Sequence, residues 1–471
     1  MSLTCVRRSA ILAGMLAIAV AVCPAQQLDD RAAVRKQLQF GKLDEAERLV
    51  QPGVGRCEPW ALAMEGEIRF RRADFEGAAA AYNAAIQRDD HLARAYWGLG
   101  RIELIQFHRS NARTLMARAY GLDPRDPDII RSYAEFATDP RSRETLLRNV
   151  VALTRNDDSP AAAAALNQLA MERRLQGNPR GRVATGYRDY AIPLKPYQPH
   201  GMLPAGLLAP VEINGGKPLW LVLDSGGTGI MIGAKAARKL GLEMFSETRI
   251  SGVGGSVVGG AVTVAKSVQV GDLVLENCAV DVTPESLAQG ADGVIGMDVF
   301  EAFRIRLDSK ARLLHLVPFE TMPTEDSHPN RWISFDRSAE ASPPTQAYGF
   351  RHFLLLKARV QGGKTGLFLV DTGSAVTSLA KGVASPTMGI PADMALSGAG
   401  GAVSGVFRIS PIVVEVAGRV VGDGDPVVMD LDEISRRQGV QISGILGYSV
   451  LRKSTVTFNY RDGLVELGDG R

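Results

Sequence analysis

One pattern occurs twice in the carboxy-terminal half of this 471-residue chain, and it restricts the fold more than any other feature. Asn214-Gly215-Gly216-Lys217 is followed by the apolar run Leu219-Trp220-Leu221-Val222-Leu223 and then by Asp224-Ser225-Gly226-Gly227. At an offset of 147 positions, Gln361-Gly362-Gly363-Lys364 leads through Leu367-Phe368-Leu369-Val370 into Asp371-Thr372-Gly373-Ser374. Two further landmarks follow in the same order. Ser251-Gly252-Val253-Gly254-Gly255 answers Ser397-Gly398-Ala399-Gly400-Gly401 at offset 146, and Val294-Ile295-Gly296 answers Ile445-Leu446-Gly447 at offset 151. Each copy closes on a strand pattern, Phe303-Arg304-Ile305-Arg306-Leu307 and Ser454-Thr455-Val456-Thr457-Phe458. Gly-Gly between apolar runs signals a hairpin, and a short apolar run bounded by turns reads as a buried strand. The 50 glycines cluster in the last two-thirds of the chain, as turn-rich β structure requires. An Asp-[Ser/Thr]-Gly triplet alone would carry little, because aspartate at a strand end also serves simply to cap backbone N–H groups. The ordered recurrence of four landmarks predicts a β lobe present in two copies.

These landmarks resemble the aspartic proteases of the pepsin and retropepsin type, over roughly residues 186–468. In that family Asp-[Thr/Ser]-Gly ends a strand, a glycine-rich hairpin forms a flap, and a hydrophobic-hydrophobic-Gly element lies beneath the catalytic loop. Asp371-Thr372-Gly373-Ser374 matches in full. In the first copy Gly227 stands where the family has Ser, Thr or Ala, and no tyrosine between Ile250 and Ala265 matches the flap tyrosine of pepsin-like enzymes. The lobes are also shorter than those of pepsin, so the chain resembles two fused retropepsin subunits.

The resemblance implies lobes at 186–318 and 346–468, an interlobe linker at 319–345 with a short strand at Trp332-Ile333-Ser334-Phe335, and an active site formed within one chain. It implies Asp224 and Asp371 as the catalytic pair, with Ser225, Gly226, Thr372 and Gly373 bracing their loops. Gly296 and Gly447 would let backbone pass close beneath those loops, and Gly254, Gly255, Gly400 and Gly401 would belong to flaps over an extended polypeptide substrate. Two carboxyl groups at contact distance cannot both ionise, so such a pair shares a proton and can activate water without a metal. The expected activity is that of an aspartic endopeptidase. A peptide-binding scaffold that keeps the cleft without turnover is the alternative.

Residues 29–178 have a different character, rich in Ala, Arg, Leu and Glu with helical spacing of apolar positions. Gly66 recurs as Gly100, Ala78 as Ala112, Ala85 as Ala119 and Asp90 as Pro124, each 34 apart. The period resembles the tetratricopeptide repeat, a helix-turn-helix unit that stacks into arrays. Gly66 and Ala78 would let helix backbones approach, Tyr82 and Met116 would fill the neighbouring gaps, and Pro124 would end a helix. Such an array either offers a groove to a protein or peptide partner or packs on its neighbour domain.

Residues 1–25 combine Arg7 and Arg8, the apolar run Ala10–Val22 and a terminal Ala25, the pattern of a secretory signal cleaved after Ala25. A buried amino-terminal helix is the other reading. The run is short for a membrane span, and Val22 is not the small residue that lipid attachment at Cys23 prefers. The expected location is therefore periplasmic or secreted, with no stable membrane span after processing. Lys and Arg number 54 against 51 Asp and Glu, a net +3 that argues against a nucleic-acid or anionic-lipid partner. There is no Cys-x-x-Cys or His-Glu-x-x-His, and the six histidines are scattered singly, so neither metal nor cofactor is expected. Beyond the signal only Cys57 and Cys278 remain, too few for a disulfide framework. The fold expected is multidomain: an all-α helical repeat region, then an all-β aspartic-protease fold of two pseudo-symmetric lobes.

Overall fold

A computed structural model describes residues 24–154, 165–166, 168–171, 173, 181–199, 204–251, 257–285, 288–319, 344–384, 390–391, 397–398, 401–403 and 405–469. The order is the expected one, helices first and β lobes after. The predicted signal up to Cys23 and the predicted strand Trp332–Phe335 lie outside the described residues. The chain divides into two compact units, Met1–Ile102 with Thr114–Pro124, and Glu103–Arg113 with Arg125–Arg471.

The helices run α1 (Pro24–Gln39), α2 (Leu43–Gly55), α3 (Pro59–Arg71), α4 (Phe75–Arg88), α5 (Ala93–Ile105), α6 (Arg109–Leu122), α7 (Pro127–Ala134) and α8 (Pro140–Leu153). Their ends are written in the sequence. Asp74 accepts the Gly77 N–H at 2.9 Å to cap α4, and Pro59, Pro127 and Pro140 occupy first turns where a missing N–H costs nothing. In the first unit the Tyr82 ring fills the space left by two glycines. A Cβ at Gly66 would lie 2.7 Å from that ring and one at Gly98 2.2 Å from it. Met116 packs similarly on Gly100. Glu67, 7% exposed, accepts from Arg71 and from Arg101, each at 2.6 Å, and from the Tyr82 hydroxyl at 3.2 Å. No helix among the described residues is long and apolar enough to cross a membrane.

Among the described residues of the second unit, lobe 1 is a nine-stranded sheet and lobe 2 a ten-stranded one. At the centre of lobe 1 the strand Leu219–Asp224 runs parallel to Gly293–Gly296 and antiparallel to Gly206–Ile213. Lobe 2 repeats this with Thr365–Val370 parallel to Gly444–Leu446 and antiparallel to Phe353–Val360. Central strands covered on both faces read as unbroken apolar runs, which is why Leu221-Val222-Leu223 and Leu367-Phe368-Leu369-Val370 do not alternate.

A third, six-stranded sheet joins the lobes. Phe303–Asp308 of lobe 1 pairs antiparallel with Ser454–Asn459 of lobe 2, Ile305 opposite Phe458 and Leu307 opposite Val456. The two closing strand patterns of the duplicated sequence are therefore partners of each other. Ile305, Leu314, Leu316, Val456, Phe458 and Val465 are fully buried and continuous with the cores of both lobes. Each such side chain contributes about 1.5–3 kcal/mol through burial, so the lobes form one packed body.

Candidate active site

The two Asp loops leave equivalent strands. In Leu219–Asp224, Leu221 and Leu223 enter the main core, whereas Val222 joins a separate apolar group with Met231, Ala288 and Val294. Side chains alternate along a strand, so Asp224 shares the Val222 face and is turned away from the main core. Asp224 lies opposite Gly296. In lobe 2 Val370 lies opposite Leu446, and the Asp371 N–H donates to the Leu446 carbonyl at 3.0 Å.

Reciprocal hydrogen bonds tie the loops across the pseudo-twofold. The Ser225 N–H donates to Thr372 Oγ1 and the Thr372 N–H to Ser225 Oγ, both at 3.0 Å. Ser225 Oγ donates to the Val370 carbonyl at 2.8 Å, and Thr372 Oγ1 to the Leu223 carbonyl at 2.9 Å. Each hydroxyl, 1% exposed, thus accepts from the opposite loop and donates to the strand behind it. Stranding any of these buried partners would cost about 1–3 kcal/mol.

This lock brings Asp224 and Asp371 into direct hydrogen bonding with each other. Gly226 and Gly373 make the approach possible. A Cβ at Gly226 would fall 2.5 Å from Asp371 Cγ, and one at Gly373 2.3 Å from Asp224 Cγ. Beneath them, a Cβ at Gly296 would meet the Gly227 carbonyl at 2.8 Å and one at Gly447 the Val376 carbonyl at 2.2 Å, so both positions exclude a side chain.

The carboxyl groups are not equivalent. Burial pushes Asp224 well above the usual carboxylate range, the negative charge and hydrogen bond of Asp371 push it further, and the Gly226 and Gly227 N–H groups oppose. Burial also raises Asp371, while its hydrogen bond with Asp224 and the N–H groups of Gly373 and Ser374 oppose the rise. Gly373 and Ser374 bond to Asp371 Oδ1 at 2.9 and 3.0 Å, and Gly226 bonds to Asp224 Oδ1 at 2.7 Å. Both carboxyl groups are held above the usual carboxylate range, so the pair shares one proton that belongs to neither residue alone. Among the described residues no three His, Cys, Asp or Glu side chains group so as to hold a metal ion.

Several residues of the site were not anticipated. Two positions after Gly296, Asp298 accepts from the Gly229 N–H at 2.9 Å and the Thr228 hydroxyl at 2.9 Å. Two positions after Gly447, Ser449 accepts the Thr377 N–H at 3.2 Å and donates to Asp423 at 2.7 Å. Both hold the outer end of a loop, and both could have been found by extending the offset of 151 two places. Tyr460 faces Asp224, Asp298 and Glu301; burial first, then those charges, hold its hydroxyl well above the ordinary value and keep it neutral. His352, from a turn of lobe 2, is withdrawn from water near Asp298, and burial lowers its pKa. Neither aromatic residue carries a sequence signal.

The predicted flap positions fare unevenly. Gly254, Gly255 and Gly400 lie outside the described residues. On either side of the first two, Ser251 pairs with Val257. Gly401 pairs with Gly398 in a short hairpin.

Residues 209–299 match the family described as aspartyl protease, a stretch that runs from the strand before the first Asp loop past Gly296. No curated protein matches the chain. Among solved structures, an aspartic proteinase from Irpex lacteus is similar at 13% identity and a TM-score of 0.38, covering 60% of this chain and 97% of its own.

Proposed function

We propose that the protein is an exported aspartic endopeptidase that hydrolyses peptide bonds with Asp224 and Asp371 as its catalytic pair. The observation that carries this reading is the hydrogen-bonded meeting of two carboxyl groups, one from each copy of a duplicated lobe, under a reciprocal Ser225–Thr372 lock. The aspartyl protease match supports a peptidase in general.

One member of the pair acts as base and the other as acid, and the steps are written here with Asp371 as the ionised member. Asp371, ionised, takes a proton from a water whose oxygen adds to the peptide carbonyl carbon. Asp224 gives its proton to the carbonyl oxygen, and a gem-diol forms. Asp371 then passes its proton to the amide nitrogen while Asp224 recovers one from a gem-diol hydroxyl. The C–N bond breaks, releasing acid and amine, and the pair returns to its starting state. Val222, Met231 and Val294, with Tyr197 and Leu208 packed against them, form an apolar wall beside the Asp224 loop. That wall suits an apolar side chain of a polypeptide. The hairpin Ser246–Ser251 with Val257–Val270 supplies an edge to which extended substrate backbone could add.

The helical region is proposed to be a tetratricopeptide-like array that recruits a protein, a reading supported by the Tyr82 packing on Gly66 and Gly98. Export rests on the amino-terminal pattern of residues 1–25. The test is incubation with an unfolded protein from pH 3 to 7, with fragments identified by mass spectrometry and Asp371→Asn as control. Internal cleavage by the wild type alone is expected. Equal cleavage by both proteins, or none by either, removes the peptidase and leaves a binding scaffold.

A further inference from the structure

The two lobes differ at one row of residues beside the acid pair. In lobe 1 the strand Lys195–Tyr197 pairs antiparallel with Gly206–Ile213, Tyr197 opposite Gly206 and Lys195 opposite Leu208. Leu208 in turn lies opposite Val222. Residues opposite each other on antiparallel strands share a side of the sheet, and side chains alternate along each strand. Tyr197, Gly206, Leu208, Val222 and Asp224 therefore all lie on one face. Continued two positions beyond Leu208 and Val222, the register brings Gly206 level with Asp224. The row reads Tyr197, Gly206, Asp224: the outer two are separated by two strand spacings, about 10 Å, with a glycine between them.

Tyr197 is held in that place. Its hydroxyl donates to the Gln289 carbonyl at 2.9 Å, and its side chain packs against the apolar group of Val222, Met231 and Val294. Lys195, on the same side of the strand, puts its ammonium 3.6 Å from the centre of the Trp220 ring. The Trp220 N–H donates to Asp292 at 2.8 Å, so the strand grips the 289–292 turn and its neighbour at two points. Gly206 is glycine for neither of the usual reasons. Its φ is not left-handed, and a Cβ there would meet the Thr372 carbonyl at 3.4 Å and Tyr197 Cδ1 at 3.6 Å, ordinary contact distances. What the missing side chain provides is space.

Lobe 2 fills the equivalent space. Phe350 lies opposite Phe353, and Leu355 opposite Leu369, which makes Phe350 and Phe353 the counterparts of Tyr197 and Gly206. Both phenylalanines are buried. A ring therefore stands in the row of Asp371 where the row of Asp224 is bare.

We propose that Tyr197 is a specificity-determining residue: its ring and Gly206 frame a slot beside Asp224 that takes one large apolar side chain of the polypeptide substrate, and Phe353 denies such a slot beside Asp371. A gap of two strand spacings admits the width of a Leu or Phe side chain. An aromatic occupant would also gain the offset or edge-to-face contact that ring pairs favour.

The slot's part in cleavage rests on the peptidase reading, whereas its affinity for a side chain is measured without turnover. Fluorescent octapeptides with one central Phe or Ala in a Gly/Ser/Asn background are titrated by anisotropy against full-length Asp371→Asn, alone and with Tyr197→Ala or Tyr197→Phe added. Thermal melts verify folding. The Phe peptide is expected to bind Asp371→Asn about tenfold or more tightly than the Ala peptide, the range for filling an apolar pocket. Tyr197→Ala should cut that ratio to about twofold, and Tyr197→Phe, which keeps the ring, should retain most of it. In a digest of an unfolded protein by the wild type, mass spectrometry should find large apolar residues enriched on one flank of the cleaved bonds, and Tyr197→Ala should remove the enrichment. The proposal is overturned if Asp371→Asn binds both peptides equally, if Tyr197→Ala leaves the ratio unchanged, if Tyr197→Phe is as impaired as Tyr197→Ala, or if both flanks are enriched alike. Should the wild type cleave nothing while the binding ratio still falls with Tyr197→Ala and holds with Tyr197→Phe, the slot stands and the peptidase falls.

Discussion

Glu67 in the helical unit and Asp224 in the β unit are both carboxyl groups withdrawn from water, yet they reach opposite charge states. Burial alone would raise Glu67, but the charges of Arg101 and Arg71 and their hydrogen bonds outweigh it and bring its pKa from 4.5 down to about 2. Burial raises Asp224 too, and there the nearest charge is another carboxylate, Asp371, which adds to the rise. Withdrawal from water sets the size of what is at stake; the neighbour sets the sign. In the helical unit a buried acid is neutralised by ion pairing and holds structure together. At the lobe junction two acids are forced on each other, an arrangement that costs stability and has value only if the shared proton is used.

The strongest way to break this comparison is to remove one member of the acid pair. Asp371→Asn should reduce peptide cleavage by about 10³-fold or more, since both proton transfers need the pair, and initial rates on an unfolded protein substrate measure it. The corresponding break in the helical unit is Arg101→Met, which leaves Glu67 buried with Arg71 as its remaining cation. A loss of about 3 kcal/mol is expected in urea unfolding followed by helical circular dichroism. Arg101 also lies over the Phe70 and Trp97 rings at 3.9 and 4.4 Å, so part of that loss is packing. Adding Glu67→Gln to Arg101→Met separates the two contributions: the electrostatic share is recovered and the packing share is not.

The pH dependence should run in opposite directions. Glu67 is depressed, so its stabilisation is present above 4.5 and is lost as the pH falls from there towards about 2. Asp224 is elevated, so its contribution is present below 3.8 and is lost as the pH rises through its folded value. Asp224→Asn should accordingly melt higher than the wild type at pH 7, by about 1 kcal/mol or roughly 2–4 °C, with the advantage shrinking towards pH 4. The smallest effect belongs to Tyr82→Phe. It removes one 3.2 Å hydrogen bond to Glu67 and should cost about 0.5–1.5 kcal/mol in the same urea experiment, leaving the Arg pairing intact.

Much of the site is legible in the sequence because duplication turns a long-range contact into a local repeat. Once Asp224 and Asp371 are seen to end equivalent strands, Ser225 and Thr372 follow as mirror-related neighbours, and the structure links them reciprocally. The helical period does the same for Glu67 and Arg101, which are 34 positions apart and paired across adjacent units. What escapes is contact between elements that no period relates. The pairing of Phe303–Asp308 with Ser454–Asn459, the approach of Tyr460 and the reach of His352 all depend on how the lobes close on each other. Gly227 illustrates the limit. By itself it suggests a looser first loop, whereas the structure holds that loop from outside, at Thr228 and Gly229 through Asp298.

The claim most exposed to test is that Asp224 and Asp371 hold one proton in common. Following both side-chain carboxyl carbons by 13C resonance through an acid titration addresses it directly. One of the two should remain protonated well above pH 4, and its midpoint should drop when the partner becomes asparagine. Two independent ionisations, each near 3.8 and indifferent to substitution of the other residue, would contradict the account.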